Sequence, residues 1–187
     1  MASKSALAIL ANGTEEMEIV IAVNVLRRAG MNITIAGLTD DKPVKCSRDV
    51  VILPDKSLSD VSKDIFDVVI LPGGLRGTEA FMKSSLVGEI LKSQESNGRW
   101  IAAICAAPLA LSAHKICLGK SLTSYPSTKD KLAADYKYVD DQIVVQDGKL
   151  ITSRGPGTTF AFGLKIAEAL VGADKAKEVA KGLLYEY

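Results

Sequence analysis

One thiol in this sequence sits where a nucleophile would be held. The run Trp100-Ile-Ala-Ala-Ile-Cys-Ala-Ala-Pro108 is apolar up to Cys105 and continues in small, helix-favouring residues. It reads as a strand turning sharply into a helix with Cys105 at the corner. That geometry projects the side chain from the top of a sheet and aims the first free N–H groups of the helix at it. The partial positive charge of such a helix terminus predicts a cysteine pKa several units below its usual value of about 8.5. A buried cysteine serving as a small hydrophobe fits the same stretch.

Partners for the thiol follow from spacing. Gly73-Gly74 ends the apolar run Asp67-Val-Val-Ile-Leu71 and serves either as a simple strand-to-loop break or as a turn that exposes backbone N–H groups. In the second reading an amide of that turn and the amide of Ala106 form an oxyanion hole for a carbonyl attacked by Cys105. Glu18 has Ile21, Ala22 and Val25 at i+3, i+4 and i+7, so its carboxyl lies along an apolar stripe. Partial burial there predicts a raised pKa and a carboxyl able to move protons. Glu15 and Glu16 read as solvated first-turn residues that favour the helix dipole. The one histidine, His114, comes nine residues after Cys105. On a single helix that places it roughly 13 Å away and half a turn round, out of reach of the thiol. It reads as a helix-end residue favoured by the C-terminal dipole. The acid–base role falls to a carboxylate or to a residue such as Tyr125.

These side chains need a scaffold, and the chain alternates strand and helix signals. Ala6–Leu10 is an apolar run of strand length followed by the turn Asn12-Gly13-Thr14. Glu15–Ala29 reads as a helix, acidic at its start, basic at Arg27-Arg28 and closed by Gly30. Asn32–Ala36 is a second strand, and the strand–helix–strand order predicts a parallel pair with a right-handed crossover. Val44–Leu53 reads as a hairpin around Ser47-Arg48-Asp49, and Asp67–Leu71 as a central strand. A helix covers roughly Leu86–Gln94 before the Trp100–Ile104 strand. Gln142–Thr152 is a hairpin turning at Asp147-Gly148. Helices follow over about Thr159–Leu170 and Asp174–Leu184. The sum is an α/β sandwich with a mostly parallel sheet and a ligand site outside the carboxyl ends of its strands.

Composition bounds the function. The 187 residues fit one domain spanning 1–187, and 48% hydrophobic with 24% charged residues is ordinary for a globular protein. A formal net charge of +1 gives no reason to expect nucleic acid or an anionic membrane as partner. Three cysteines without C-x-x-C spacing make neither a disulfide framework nor a zinc site, and they suit a reducing compartment. The apolar run Ala6–Ala11 is too short for a signal-peptide core or a membrane span, so no stable membrane insertion is expected. Cytoplasm is the default address, with nuclear and mitochondrial pools left open.

The chain resembles the parkinsonism-associated deglycase family, relatives of the ThiJ and PfpI proteins in the class I glutamine amidotransferase-like superfamily. The likeness runs nearly end to end through Glu15-Glu-Met-Glu18, Arg27-Arg-Ala-Gly30, Cys46-Ser-Arg-Asp49, Leu71-Pro-Gly-Gly74, Ala102-Ala-Ile-Cys-Ala106 and Ser153-Arg-Gly-Pro-Gly-Thr158. It implies a flavodoxin-like three-layer sandwich, a homodimer, and a nucleophilic Cys105 paired with Glu18. It implies cofactor-independent conversion of glyoxal or methylglyoxal to hydroxy acids, repair of early glycation adducts and protection against oxidative stress. It also implies ready oxidation of Cys105 to a sulfinate held by Glu18. Arg28 and Arg48 match positions near the family's dimer interface, where they would form an anion patch; solvated or structural arginines are the plainer alternative.

The chain departs from the family at two positions. Many relatives carry a histidine where this chain has Tyr125 before Pro126, and a neutral tyrosine with a pKa near 10 is a poor base. Leu53 stands where some relatives have a cysteine. Cys46 and Cys117 have no motif-based claim to catalysis.

Two functions therefore stand side by side. The first is a dicarbonyl glyoxalase or deglycase: Cys105 attacks, Glu18 moves protons, and the Gly74 and Ala106 amides hold the oxyanion. The second is a redox sensor or chaperone switched by oxidation of Cys105. A nucleotide or flavin carrier is disfavoured, since neither G-x-G-x-x-G nor G-x-x-x-x-G-K-[ST] occurs.

Overall fold

The computed structural model describes residues 3–187. The first half comprises β1 (Ser5–Leu10), α1 (Glu16–Arg28), β2 (Asn32–Gly37), β3 (Val44–Lys45), β4 (Val51–Ile52), β5 (Lys56–Ser57), α2 (Leu58–Val61), β6 (Val68–Leu71) and α3 (Leu75–Lys83). Then come α4 (Ser85–Ser96), β7 (Trp100–Ile104), α5 (Pro108–Ala113), β8 (Ser121–Leu122), α6 (Lys129–Leu132) and β9 (Lys137–Tyr138). The chain closes with β10 (Val144–Asp147), β11 (Leu150–Ser153), α7 (Thr159–Val171) and α8 (Ala173–Gly182).

Seven strands form the main sheet in the order β10-β11-β7-β6-β1-β2-β5. Only the β10–β11 hairpin pairs antiparallel; the other neighbours run parallel. Taking β1, β2, β6, β7 and β11 as the parallel strands in chain order, the sheet reads 2-1-3-4-5, the flavodoxin-like arrangement. The central strands are continuous apolar runs because both of their faces are covered. Alternate residues feed two cores. Leu7, Ile9, Val69, Leu71, Ile101 and Ala103 pack with Phe81, Leu91 and Leu111 of α3, α4 and α5. Ala6, Ala8, Leu10, Val68, Ile70, Ala102 and Ile104 pack on the other side with Leu26 of α1, Phe162 of α7 and Val179 of α8. Helices on both faces complete the expected three-layer sandwich. No described helix is long and apolar enough to cross a membrane.

The expected hairpins form, β3 with β4 and β10 with β11. The helix expected at Leu86–Gln94 extends to Ser85–Ser96, started by the Ser84 hydroxyl accepting the Val87 N–H. Helix α3 is an element beyond those expected from the sequence. Its buried residues are Gly77, Thr78 and Phe81, a face made mostly of small side chains pressed against Thr14. The register matters most for β7, β6 and β1, which lie side by side and point the same way. Their carboxyl ends bring together Cys105, Gly73-Gly74 and the start of α1.

Candidate active site

The corner after β7 is strained in the way a displayed side chain requires. Cys105 has φ of 64°, in the left-handed region that non-glycine residues seldom occupy. Three ties hold it there: its N–H donates to the Ser153 carbonyl at 3.0 Å, its carbonyl accepts the Tyr125 N–H at 2.8 Å, and the Ala107 N–H donates to the Ile104 carbonyl at 3.0 Å.

Glu18 comes from α1 and has no exposed surface. Its Oε2 accepts the Gly73 N–H at 2.6 Å, and its Oε1 is buried without a hydrogen-bond partner. The Cys105 thiol lies beside the same carboxyl, and the backbone N–H groups of Gly74 and Ala106 favour negative charge on the sulfur. Both glycines are required by contact. A Cβ on Gly73 would lie 2.7 Å from the Cys105 Cβ and 2.8 Å from Glu18 Oε2, and one on Gly74, where φ is 85°, would lie 2.3 Å from the Gly13 carbonyl.

Burial pushes Glu18 up to about 7, against the opposing pull of the Gly73 N–H and the thiol. Burial also pushes Cys105 up to about 12, reinforced by the Glu18 charge and by the hydrogen bond to it; the Gly74 and Ala106 N–H groups pull the other way. The expectation of a thiol lowered by its helix terminus is corrected here. Helix α5 begins only at Pro108, and two amide dipoles do not offset burial beside a carboxylate. Burial raises both groups, and ionisation of either one opposes ionisation of the other, so the pair titrates as coupled neighbours.

Other expectations are narrowed or, for Glu16, overturned. The Gly73 N–H is taken by Glu18, so the amides facing the sulfur are those of Gly74 and Ala106. Glu16 is buried rather than solvated: it accepts the Ser47 hydroxyl at 2.8 Å and the Arg48 N–H at 2.9 Å. These bonds hold its carboxyl below the usual range despite desolvation. Ser47 Oγ also lies 2.6 Å from Glu15 Oε2, so the hairpin tip clamps the start of α1. His114 does end α5, but its Nε2 lies 2.8 Å from the Phe81 carbonyl and its ring packs against Gly88. Its ring is committed to those contacts.

With a carboxyl, a thiol and two free amides assembled at the carboxyl ends of β1, β6 and β7, comparison with known proteins becomes informative. Residues 4–169 match the DJ-1/PfpI family. The chain belongs to that family. It is 64% identical over 185 residues to Protein dj-1beta of Drosophila melanogaster, covering 99% of each chain. It is 42% identical over 184 residues to the glutathione-independent glyoxalase DJR-1.2 of Caenorhabditis elegans, covering 97% of each. The crystal structure of Drosophila melanogaster DJ-1beta superposes with a TM-score of 0.99 at 63% identity over the full length of both chains.

The remaining candidates in this DJ-1/PfpI chain divide by position. Tyr125 is half-exposed, tied to Cys105 through its backbone and packed with its ring edge 3.4 Å from the position of a Cβ on Gly155. Arg28 and Arg48 are not neighbours within one chain. Arg28 Nε donates to Asn24 Oδ1 at the end of α1, while the Arg48 N–H binds Glu16 at its start, and 13 helical residues put those ends about 18 Å apart. Any joint patch needs a second subunit. Cys46 and Cys117 are buried and free, and burial with nearby carboxylates pushes both up to about 11. Leu53 is exposed. Among the described residues no cluster of three His, Cys, Asp or Glu side chains is arranged to hold a metal ion.

Proposed function

We propose that this DJ-1/PfpI protein is a cysteine-dependent glyoxalase that converts glyoxal and methylglyoxal to hydroxy acids without an added cofactor, and that it also acts on early glycation adducts in defence against oxidative stress. The reading is carried by the fully buried Glu18 carboxyl, fixed by the Gly73 N–H and set beside Cys105 at its strained corner. The similarity to a protein named a glutathione-independent glyoxalase supports it.

With methylglyoxal, Cys105 Sγ adds to the aldehyde carbon while Glu18 takes the thiol proton. The C–S bond forms, the carbonyl π bond opens, and the new oxyanion lies against the two amides before collecting a proton as a hemithioacetal. Glu18, having returned the thiol proton to that oxygen, removes the proton on the former aldehyde carbon and passes it to the neighbouring ketone oxygen, giving an enediol. Protonation at the adjacent carbon, with loss of the hydroxyl proton on the sulfur-bearing carbon, yields a 2-hydroxy thioester. Water attacks the thioester, the C–S bond breaks, and lactate leaves with the thiol restored. The sum is methylglyoxal plus water to lactate, an internal oxidation and reduction that needs no external electron carrier.

Side-by-side kinetics of wild type, Cys105→Ala and Glu18→Gln on methylglyoxal and on a purified glycated adduct test this reading. Loss of lactate formation in both variants is expected; activity that survives in Cys105→Ala removes the thiol from the mechanism. Adduct loss that follows only the fall in free dicarbonyl counts against direct repair.

A redox role at the same site is favoured by the orphan Glu18 Oε1. Two equivalents of peroxide convert the thiol to a sulfinate with release of two waters. A protonated Oε1 and the two amides then offer donors to its oxygens. We also infer a homodimer. Met17, Val20, Val51 and Leu53 are exposed on α1 and around β4, beside a groove of about 510 Å³ lined by Ile19, Val23, Ile35 and Ile52 together with Asn24, Arg27 and Arg28, and an apolar patch with polar side chains beside it suits a second copy.

A further inference from the structure

The segment Ser153-Arg-Gly-Pro-Gly-Thr158 joins β11 to α7 and has no part in the chemistry above, yet it reaches both backbone ties that hold Cys105. Ser153 ends β11, is fully buried, and lies beside Ile104 in the parallel pairing with β7. Its carbonyl, one step beyond that pair, accepts the Cys105 N–H at 3.0 Å. On the other tie, the carbonyl of Cys105 accepts the N–H of Tyr125, whose ring packs 3.4 Å from the position of a Cβ on Gly155. A left-handed φ of 64° at a non-glycine residue persists only where its surroundings over-determine it, so whatever fixes these partners fixes the thiol.

Hydrogen-bond counting shows what fixes the first of them. Ser153 Oγ lies 2.6 Å from the Ile143 carbonyl, which can only accept, so the single serine proton goes there. The 2.7 Å contact between Ser153 Oγ and Thr158 Oγ1 therefore takes its proton from Thr158. The Gly155 carbonyl, 2.9 Å from the same threonine hydroxyl, is served instead by the Thr158 N–H at 2.9 Å. With its proton placed, Thr158 Oγ1 accepts the N–H of Gly155 at 3.1 Å and that of Arg154 at 3.3 Å. The Arg154 N–H belongs to the same planar peptide as the Ser153 carbonyl. One hydroxyl thus grips the N–H edge of the peptide whose C=O edge holds Cys105.

We propose that Thr158 is a positioning residue for the nucleophile: its hydroxyl sets the Ser153–Arg154 peptide and, through that peptide's carbonyl, the backbone of Cys105. Releasing the peptide lets the corner relax from its left-handed conformation and moves Sγ away from Glu18 and from the Gly74 and Ala106 amides. The inference rests on the glyoxalase reading for its kinetic assay only; the placement of the Cys105 backbone is read without turnover.

Thr158→Val keeps the branched side chain and removes the hydroxyl, and Thr158→Ser keeps the hydroxyl. In methylglyoxal kinetics, kcat of Thr158→Val, corrected for the folded fraction, should fall about ten- to hundredfold with KM within about twofold, since misplacing a reacting group by about 1 Å costs about a hundredfold. Thr158→Ser should recover kcat to within about threefold. Amide hydrogen exchange in protein made with isotopically labelled cysteine, followed by nuclear magnetic resonance, reads the backbone directly. The Cys105 N–H should exchange at least about fivefold faster in Thr158→Val, while those of Cys46 and Cys117, bonded to the Val50 carbonyl and to Glu95 Oε1, keep their wild-type rates. Wild-type exchange at Cys105, or a uniform rise at all three cysteines, overturns the proposal, as does a kcat loss that Thr158→Ser does not repair. Should Thr158→Val fail to fold, Ser153→Ala removes the acceptor of the Thr158 proton and is expected to give the same selective rise at Cys105; unchanged exchange there overturns the proposal equally. A selective rise at Cys105 with no methylglyoxal turnover by wild type keeps the positioning role and overturns the glyoxalase reading.

Discussion

Replacing Glu18 by glutamine should make the fold less sensitive to pH. The Glu18 carboxyl moves from an ordinary 4.5 to about 7 on folding because it is removed from water. A group whose native pKa is raised holds its proton more tightly in the folded state. Its contribution to stability is therefore complete below pH 4.5 and is lost as pH rises through about 7. At about 1.4 kcal/mol per pH unit the whole interval corresponds to about 3.4 kcal/mol, of which about 2.5 kcal/mol falls between pH 5 and pH 8. Carboxylates held low, such as Glu16 and Asp67, contribute in the opposite sense, mostly below this window, and they are common to both proteins. The raised thiol of Cys105 changes stability only above its ordinary 9.0. Urea unfolding at fixed protein concentration and at pH 5, 6, 7 and 8 gives the comparison. Stability of Glu18→Gln relative to wild type should rise by about 2.5 kcal/mol from pH 5 to pH 8, or about 5–10 °C in Tm for a chain of this size. Parallel curves for the two proteins would refute the claim that burying an ionised Glu18 is what the fold pays for its site.

Two further outcomes follow from packing. Gly73→Ala places a methyl 2.7 Å from Cys105 Cβ and should abolish methylglyoxal turnover while lowering stability by about 1–3 kcal/mol, read by urea unfolding; normal activity would show that the turn can yield. If the inferred dimer forms through α1, Val20→Glu puts a charge on its half-exposed face and should lower the mass in light scattering from dimer to monomer, with an unchanged far-ultraviolet spectrum; a dimeric mass in both proteins would exclude this face from the interface.

Much of the architecture was legible because parallel strands buried on both faces appear as unbroken apolar runs, as in Ala6–Leu10 and Val68–Leu71. Glu18 was legible for a related reason: Ala22 and Val25 on its stripe are both buried, and a carboxyl in their company must be buried too. Helix α3 was not: its exposed Arg76, Glu79 and Lys83 recur at helical spacing, but it is only nine residues long and its packing face is mostly Gly77 and Thr78, which add little to an apolar stripe. Nor was the fate of Glu16, because its partners Ser47 and Arg48 arrive from a hairpin more than thirty residues away. Local sequence placed Cys105 at its corner correctly. The direction of its pKa depended on a carboxylate from another element and on a burial that no local pattern encodes.

The pH dependence of kcat/KM for lactate formation from methylglyoxal tests the role of Glu18 as base to Cys105 most directly. The thiol can be attacked by a base only once the pair has released its first proton, so the profile should rise with a midpoint near 7 and stay high toward alkaline pH. A profile that is flat from pH 5 to pH 9, or that rises only at the ordinary thiol value of 9.0, would contradict the role assigned to Glu18.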